Sequence, residues 1–187
     1  MSPGLRGRIL AWVCPRAVVI ALQRMRLGRA AIVAHQERRL AEPWAGREAA
    51  SCVAEVEGLL EQSGWNAGAL SVCISDHFVR YVMLPWRPGL RAYADWEAYA
   101  NHQLDARYGT KRPCELRIAP APAGANRFVA ATDTELLRQL RDLAARRGLR
   151  VAGLEPNACR VANRFRRRLG RRAHLLGAGA DRASGLS

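Results

Sequence analysis

The residues best suited to catalysis are a serine, an aspartate and a histidine that follow one another at Ser75, Asp76 and His77. A histidine beside a carboxylate can act as a general base. Adjacent side chains of an extended segment point to opposite faces, however, so this pair would not form a catalytic dyad. No Gly-x-Ser-x-Gly elbow surrounds Ser75, and these residue types favour turns. The segment is therefore predicted to be a turn.

Histidine and cysteine spacing gives no sign of a metal site. The histidines have no second histidine or cysteine at the spacing that zinc sites use. The cysteines are odd in number, widely spaced and without a Cys-x-x-Cys pair, which predicts free thiols in a reducing compartment. The residues are His35, His77, His102 and His174, and Cys14, Cys52, Cys73, Cys114 and Cys159.

Nucleotide chemistry also lacks its usual residues. A phosphate-binding loop would place glycines between a strand and the next element, but neither the Walker motif nor Gly-x-Gly-x-x-Gly occurs. Residues 1–36 contain no carboxylate that could hold magnesium. The sequence therefore predicts no cofactor and no enzymatic activity.

The excess of basic residues has two interpretations. Thirty basic residues face 16 acidic ones, for a net charge of +14. Such an excess can attract nucleic acid, anionic lipid or an acidic protein, although solvated helix faces and a GC-rich genome also produce arginine runs. One basic group comprises Arg6, Arg8, Arg16, Arg24, Arg26 and Arg29. The run predicted to bind an anion or partner comprises Arg164, Arg166, Arg167, Arg168, Arg171 and Arg172.

Aromatic residues near these arginines have two interpretations. They could stack on the bases of a single-stranded nucleic acid; the residues are Trp86, Tyr93, Trp96 and Tyr99. Helical spacing of Tyr93, Trp96, Ala100 and Leu104 favours a buried core stripe instead.

Hydrophobic periodicity predicts an α+β domain with the order ββ(β)-α-ββ-α-ββ-α-β-α, that is, a mixed sheet with packed helices. Thr132 and Glu135 form a possible capping box for the third helix. One domain is predicted over residues 1–172 and a disordered tail over 173–187. No apolar run reaches the ~18 residues of a membrane-spanning helix. The predicted strands are Ile9–Val13, Ala17–Leu22, Arg29–Leu40, a hairpin over Leu70–Leu84, Glu115–Ala119, Arg127–Ala131 and Leu149–Leu154. The predicted helices are Arg47–Ser63, Arg91–Tyr108, Thr132–Arg147 and Asn157–Leu169.

One stretch resembles a known family. The segment Leu70–Trp86, which ends in Leu84-Pro85-Trp86 and precedes the helix around Asp95–Ala100, is similar to the cytoplasmic domains of PilM-like pilus-assembly proteins and type II secretion protein L. Phe128–Asp133 and Gly148–Pro156 resemble their next segments. The resemblance implies an actin-like (RNase H-like) fold, of which this chain is roughly the first half.

The resemblance also implies a function. Members of the wider family can bind ATP through a loop between the first two strands, which typically contains an aspartate, a glycine and small hydroxyl residues. Here Ala11–Arg16 has no acid, glycine or hydroxyl, and contains Trp12 and Pro15. We therefore expect a non-enzymatic cytoplasmic scaffold that docks protein components of a type IV pilus or type II secretion machine, peripheral to an anionic inner-membrane surface. The alternative is an arginine-rich nucleic-acid-binding protein.

Overall fold

The computed structural model describes residues 7–40, 49–65, 67–109 and 113–161. Within these ranges the chain forms strands and helices in the predicted alternation, and residues 157–161 are again helical. The elements are β1 (Gly7–Cys14), β2 (Ala17–Arg26), β3 (Arg29–Arg39), α1 (Ala49–Ser63), β4 (Ala67–Ile74), β5 (Val79–Leu84), α2 (Tyr93–Tyr108), β6 (Cys114–Ile118), β7 (Arg127–Asp133), α3 (Thr134–Arg146) and β8 (Arg150–Pro156). No helix of these ranges is long and apolar enough to cross a membrane.

The described residues fall into two compact units. The first lies within Met1–Phe78 and Glu135–Glu155, and the second within Val79–Thr134 and Pro156–Ser187. The prediction of a single domain over 1–172 stays a prediction, and the predicted tail over 173–187 lies outside the described residues.

The first unit is built on a five-stranded mixed sheet with the order β3-β2-β1-β4-β8. β1, β2 and β3 form an antiparallel meander, and β4 pairs with β1 in parallel. Val13, Val18 and Ile20 are completely buried on one face of this sheet. β-branched side chains of this kind favour strands, and their packing across neighbouring strands stabilises the sheet.

Helices α1 and α3 belong to the same unit and carry apolar stripes at helical spacing. In α3 the buried residues include Leu136, Leu140 and Leu143, as the periodicity predicted. Arginine–glutamate pairs join the carboxyl end of α3 to α1: Arg146 bonds Glu57 at 3.2 Å, and Arg147 bonds Glu61. Part of the arginine excess is therefore neutralised within the fold.

The second unit contains a three-stranded antiparallel sheet with the order β5-β7-β6, and α2 contributes to the same hydrophobic core. Trp96, Ala100 and Leu104 of α2 are buried together with Leu84 and Val129. The carboxylate of Asp95 accepts hydrogen bonds from the backbone N–H groups of Arg91 and Ala92 and so caps the first turn. Gly109, in the left-handed conformation, ends the helix.

The predicted hairpin over Leu70–Leu84 is wrong. β4 lies between β1 and β8, so both of its edges are already paired, whereas β5 pairs with β7 in the other sheet. A 3₁₀ turn at Asp76–Phe78 separates the two strands. Alternation identified both strands correctly but carries no information about their partners.

Two smaller predictions also need correction. Thr132 is not a helix cap, because it is buried in β7 opposite Val79 and Glu115, and α3 begins at Thr134. Tyr93 is not part of the core stripe, because it begins α2 and is 57 % exposed. The predicted start of the first helix, at Arg47, lies outside the described residues.

Candidate functional site

The first candidate site is the turn between β1 and β2, where the resemblance implies a nucleotide loop. Cys14, the last residue of β1, is paired with Ala17, the first residue of β2. Only Pro15 and Arg16 remain to form the turn. A phosphate cradle needs several converging backbone N–H groups, and proline has none.

Neighbouring residues tie this turn down on two sides. The N–H of Ser75 donates to the carbonyl of Val13 at 2.9 Å, and the N–H of Leu40 donates to the carbonyl of Arg16 at 2.9 Å. Both bonds engage carbonyl groups of the β1–β2 hairpin. The hairpin is thereby fixed to the residues that follow β4 and β3.

The Ser75–His77 segment lies at this same edge of the sheet. β1 and β4 are parallel, with Val13 paired to Ile74, so their carboxyl ends meet there. The N–H of His77 donates to the Ser75 hydroxyl at 3.4 Å, and the exposed His77 ring lies edge-on to Phe78. The predicted turn is confirmed, although it is a 3₁₀ turn between two sheets.

The cysteines do not supply a nucleophile at this edge. All five are free thiols. Burial raises the pKa of the Cys14 thiol above its ordinary value, so this thiol is neutral at neutral pH. Burial likewise raises the pKa of Cys114, although the nearby Arg80 guanidinium acts in the opposite direction. Across the described ranges, no group of three or more potential ligands could hold a metal ion.

The aromatic residues of the second unit are organised by arginines. The Arg127 guanidinium lies 4.6 Å from the centre of the buried Trp96 ring. Arg87 lies 4.7 Å from the centre of the Tyr99 ring. These cation–π contacts stabilise the fold and occupy ring faces that a base would need. The core interpretation of Trp96 is therefore confirmed.

A pocket of about 260 Å³ opens at the other end of the first sheet. Ile9, Leu60 and Trp65 supply its apolar wall. Its two charged lining residues, Glu61 and Arg147, bond each other. Because these two charges bond each other, neither Glu61 nor Arg147 is an unpaired charged group in this pocket.

The arginine groups divide between described and undescribed parts of the chain. The predicted run Arg164–Arg172 lies outside the described residues. In the amino-terminal group, Arg16 lies at one end of the β1–β2–β3 meander, and Arg24, Arg26 and Arg29 lie at the other, all exposed. Sequence reasoning noted these three arginines but did not anticipate that Met25 and Leu27, which lie among them, are also exposed.

Comparison with known proteins identifies the architecture. No family model matches the sequence, and no curated protein matches it significantly. Among solved structures, the cytoplasmic domain of EpsL, an inner-membrane component of the type II secretion system of Vibrio cholerae, is similar with a TM-score of 0.53 and 12% identity over 80% of this chain. A Bacteroides thetaiotaomicron protein with an actin-like ATPase fold and unknown function gives 0.54 and 8% over 88%. The chain has an actin-like fold.

The same actin-like fold occurs in the PilM–PilN type IV pilus biogenesis complex, with a TM-score of 0.54 and 15% identity over 90% of this chain. The chain spans 57%, 51% and 57% of the EpsL, PilM–PilN and Bacteroides chains, respectively. The prediction of a PilM- and EpsL-like actin-like fold is confirmed. Only Pro15 and Arg16 form the turn at which the resemblance implies a nucleotide loop, and proline has no backbone N–H to donate to a phosphate.

Proposed function

We propose that this chain is a non-enzymatic adaptor domain of a type IV pilus or type II secretion assembly. The observation that carries the proposal is the two-residue turn Pro15–Arg16, where the actin-like fold would need a phosphate-binding loop. The fold shared with the EpsL cytoplasmic domain and the PilM–PilN complex is the reason for proposing a secretion or pilus assembly.

The turn argues against nucleotide hydrolysis on geometric grounds. Phosphates are normally held by N–H groups of a glycine-rich segment that can approach them closely. Here one of the two turn residues lacks an N–H, and hydrogen bonds from Ser75 and Leu40 hold the hairpin in place. Opening a cradle would require breaking those bonds and lengthening the turn.

The adaptor would work in the cytoplasm and bind protein components of the machine. Arginines suit this role because their guanidinium groups bind carboxylates in a bidentate manner. Several described arginines are paired with acids of the same chain, as Arg38 of β3 is with Glu55 at 2.7 Å and Arg138 of α3 with Asp142 at 2.7 Å. The proposed partner contact is therefore the run Arg164–Arg172, which retains few acidic neighbours in sequence.

A thermal-shift experiment with ATP and magnesium tests the non-enzymatic part. A ligand present at ~100 times its Kd stabilises the folded state by about 2.7 kcal/mol. For a chain of this size, that would raise the Tm by roughly 5–11 °C. We expect no such rise, and a dose-dependent rise with ATP that AMP does not reproduce would refute the proposal.

An affinity capture from crosslinked cells of the native bacterium tests the adaptor part. We expect pilus or secretion proteins to be enriched, also after nuclease treatment. A bait in which the six arginines of the run Arg164–Arg172 are changed to glutamine should no longer capture these proteins. A bait in which the exposed residues Arg91, Arg117 and Arg150 are changed to glutamine should still capture them. Capture that contains no pilus or secretion protein would contradict the proposal.

The net charge of +14 favours a second candidate, a nucleic-acid-binding protein. Binding to phosphates releases counterions, so its affinity would fall steeply with salt. A salt titration with generic DNA and RNA separates the two candidates. Tight binding at physiological salt would favour the nucleic-acid function, and binding only at low salt would favour the adaptor.

A further inference from the structure

One end of the meander is a segment with mostly exposed side chains. In β2, Val18, Ile20 and Leu22 are buried, but Arg24, Met25 and Arg26 beyond them are exposed. The β2–β3 register shifts between Leu22 and Gln23, which marks the start of the uncovered part. We call residues 23–33 the hairpin tip.

The hairpin tip has one basic side and one apolar side. Arg24 faces Ala31 across the strands, and Arg26 faces Arg29, so the three arginines share a side. On the opposite side Gln23 is paired with Ile32, and Met25 with Ala30. Met25 is 64% exposed and Ile32 is 50% exposed. Residues 1–36 include no aspartate or glutamate, so the residues of the hairpin tip carry three positive charges and no negative charge.

The apex of the tip is a leucine in an unfavourable backbone conformation. Leu27 and Gly28 form the two-residue turn, with φ angles of +49° and +75°. Such turns favour asparagine, aspartate or glycine at both positions, because other residues are strained there. Leu27 is fully exposed, so packing against the described residues does not compensate for this strain. Folding alone therefore does not explain a leucine at this position.

We propose that the hairpin tip is a membrane-docking element that inserts Leu27 into the surface of an anionic lipid bilayer. Met25 and Ile32 would rest on the acyl boundary, while Arg24, Arg26 and Arg29 bind lipid phosphates and keep their charged ends in the headgroup layer. From Gln23 to Arg26 the strand extends by ~10 Å, which matches the ~5–10 Å depth of an interfacial apolar element.

A bilayer accounts for the tip better than the other anionic partners. A nucleic acid would neutralise the arginines but would leave Leu27, Met25 and Ile32 in water. An acidic protein would need a concave apolar pocket for a convex apex. A bilayer presents phosphates and hydrocarbon in adjacent layers over a flat surface, as the two sides and the apex of the tip require.

Vesicle sedimentation of the full chain tests this proposal. The lipids are phosphatidylglycerol and phosphatidylcholine in equal parts, compared with phosphatidylcholine alone. We expect binding to the anionic vesicles only, and weaker binding at high salt. Leu27→Asn should weaken binding by at least about tenfold, since full burial of a leucine side chain contributes about 1.5–3 kcal/mol and a tenfold change in affinity corresponds to about 1.4 kcal/mol. Asparagine suits the turn, so the Tm should stay equal or rise, which excludes unfolding as the cause.

A charge-matched pair of variants locates the contact. Changing Arg24, Arg26 and Arg29 to glutamine should weaken vesicle binding by at least about tenfold. Changing Arg91, Arg117 and Arg150, which are exposed elsewhere, removes the same charge and should weaken it much less. Equal losses for the two triple variants, binding unaffected by Leu27→Asn, or no binding to anionic vesicles would each overturn the proposal.

The membrane proposal is separable from the adaptor proposal. Leu27→Asn should leave the capture of pilus or secretion proteins unchanged in detergent extracts. If vesicle binding fails while capture succeeds, only the docking element is refuted. If the tip binds DNA but not vesicles, a nucleic-acid contact replaces the lipid contact.

Discussion

Replacing Leu143 by alanine should be among the most damaging single changes in the first unit. Leu143 is fully buried on the inward face of α3. Removing a leucine side chain from a core costs about 3–5 kcal/mol when the site cannot collapse. Collapse is restrained here because the residues one turn further on, Arg146 and Arg147, bond Glu57 and Glu61 of α1. We therefore expect a loss of unfolding free energy in the upper part of the leucine-to-alanine range.

Urea denaturation followed by far-ultraviolet circular dichroism measures this loss. Leu143→Met, which nearly conserves volume, should cost less than about 1.5 kcal/mol. Arg146→Gln should cost at most about 1 kcal/mol, because both partners of its ion pair are partly exposed. A Leu143→Ala loss below that of Arg146→Gln would show that ion pairs, and not burial, hold α3 in place.

Three further predictions follow from local geometry. Hydrogen bonds from Arg138 and Gln139 lower the pKa of Glu135 to about 2, below its unfolded value. The stability from Glu135 should therefore be present above about pH 4.5 and be lost as the pH falls towards 2. A Glu135→Gln variant should lack this loss in an acid titration followed by circular dichroism. Gly109→Ala should cost about 1 kcal/mol in urea denaturation, because φ at Gly109 is +62°. Gly89→Ala, at a position with open space and no positive φ, should cost less. Arg80 lowers the pKa of Cys114, so Arg80→Met should raise it and slow alkylation of that thiol; unchanged alkylation would contradict this contact.

Local elements were predictable because they depend on short-range pattern. The Leu136–Leu143 stripe, the glycine that ends α2 and the β1–β2–β3 meander all follow from neighbouring residues. The predicted hairpin after Leu70 failed because strand partners depend on the whole sheet. Nothing within residues 70–84 records that β4 is enclosed by β1 and β8.

The candidate sites divide along the same line. The unsuitability of Pro15 and Arg16 for phosphate could be predicted, because it depends on residue types. The hairpin tip could not be predicted, because the types of Met25 and Ile32 are ordinary for a strand and only the structure shows that both are exposed. Leu27 lies beside Gly28 between the predicted strands Ala17–Leu22 and Arg29–Leu40. Its positive φ and complete exposure became apparent only in three dimensions.

The leucine at the apex of the hairpin has a consequence for sequence drift. Most substitutions destabilise a protein, but Leu27→Asn or Leu27→Gly would relieve backbone strain without opening a cavity. Mutation without selection should therefore replace this leucine readily. If orthologues retain a bulky apolar residue at position 27 and also keep the neighbouring turn glycine, selection acts on the exposed apolar side chain and not on the stability of the turn. If orthologues commonly have asparagine, aspartate or glycine at this position, there is no selection for the apolar side chain.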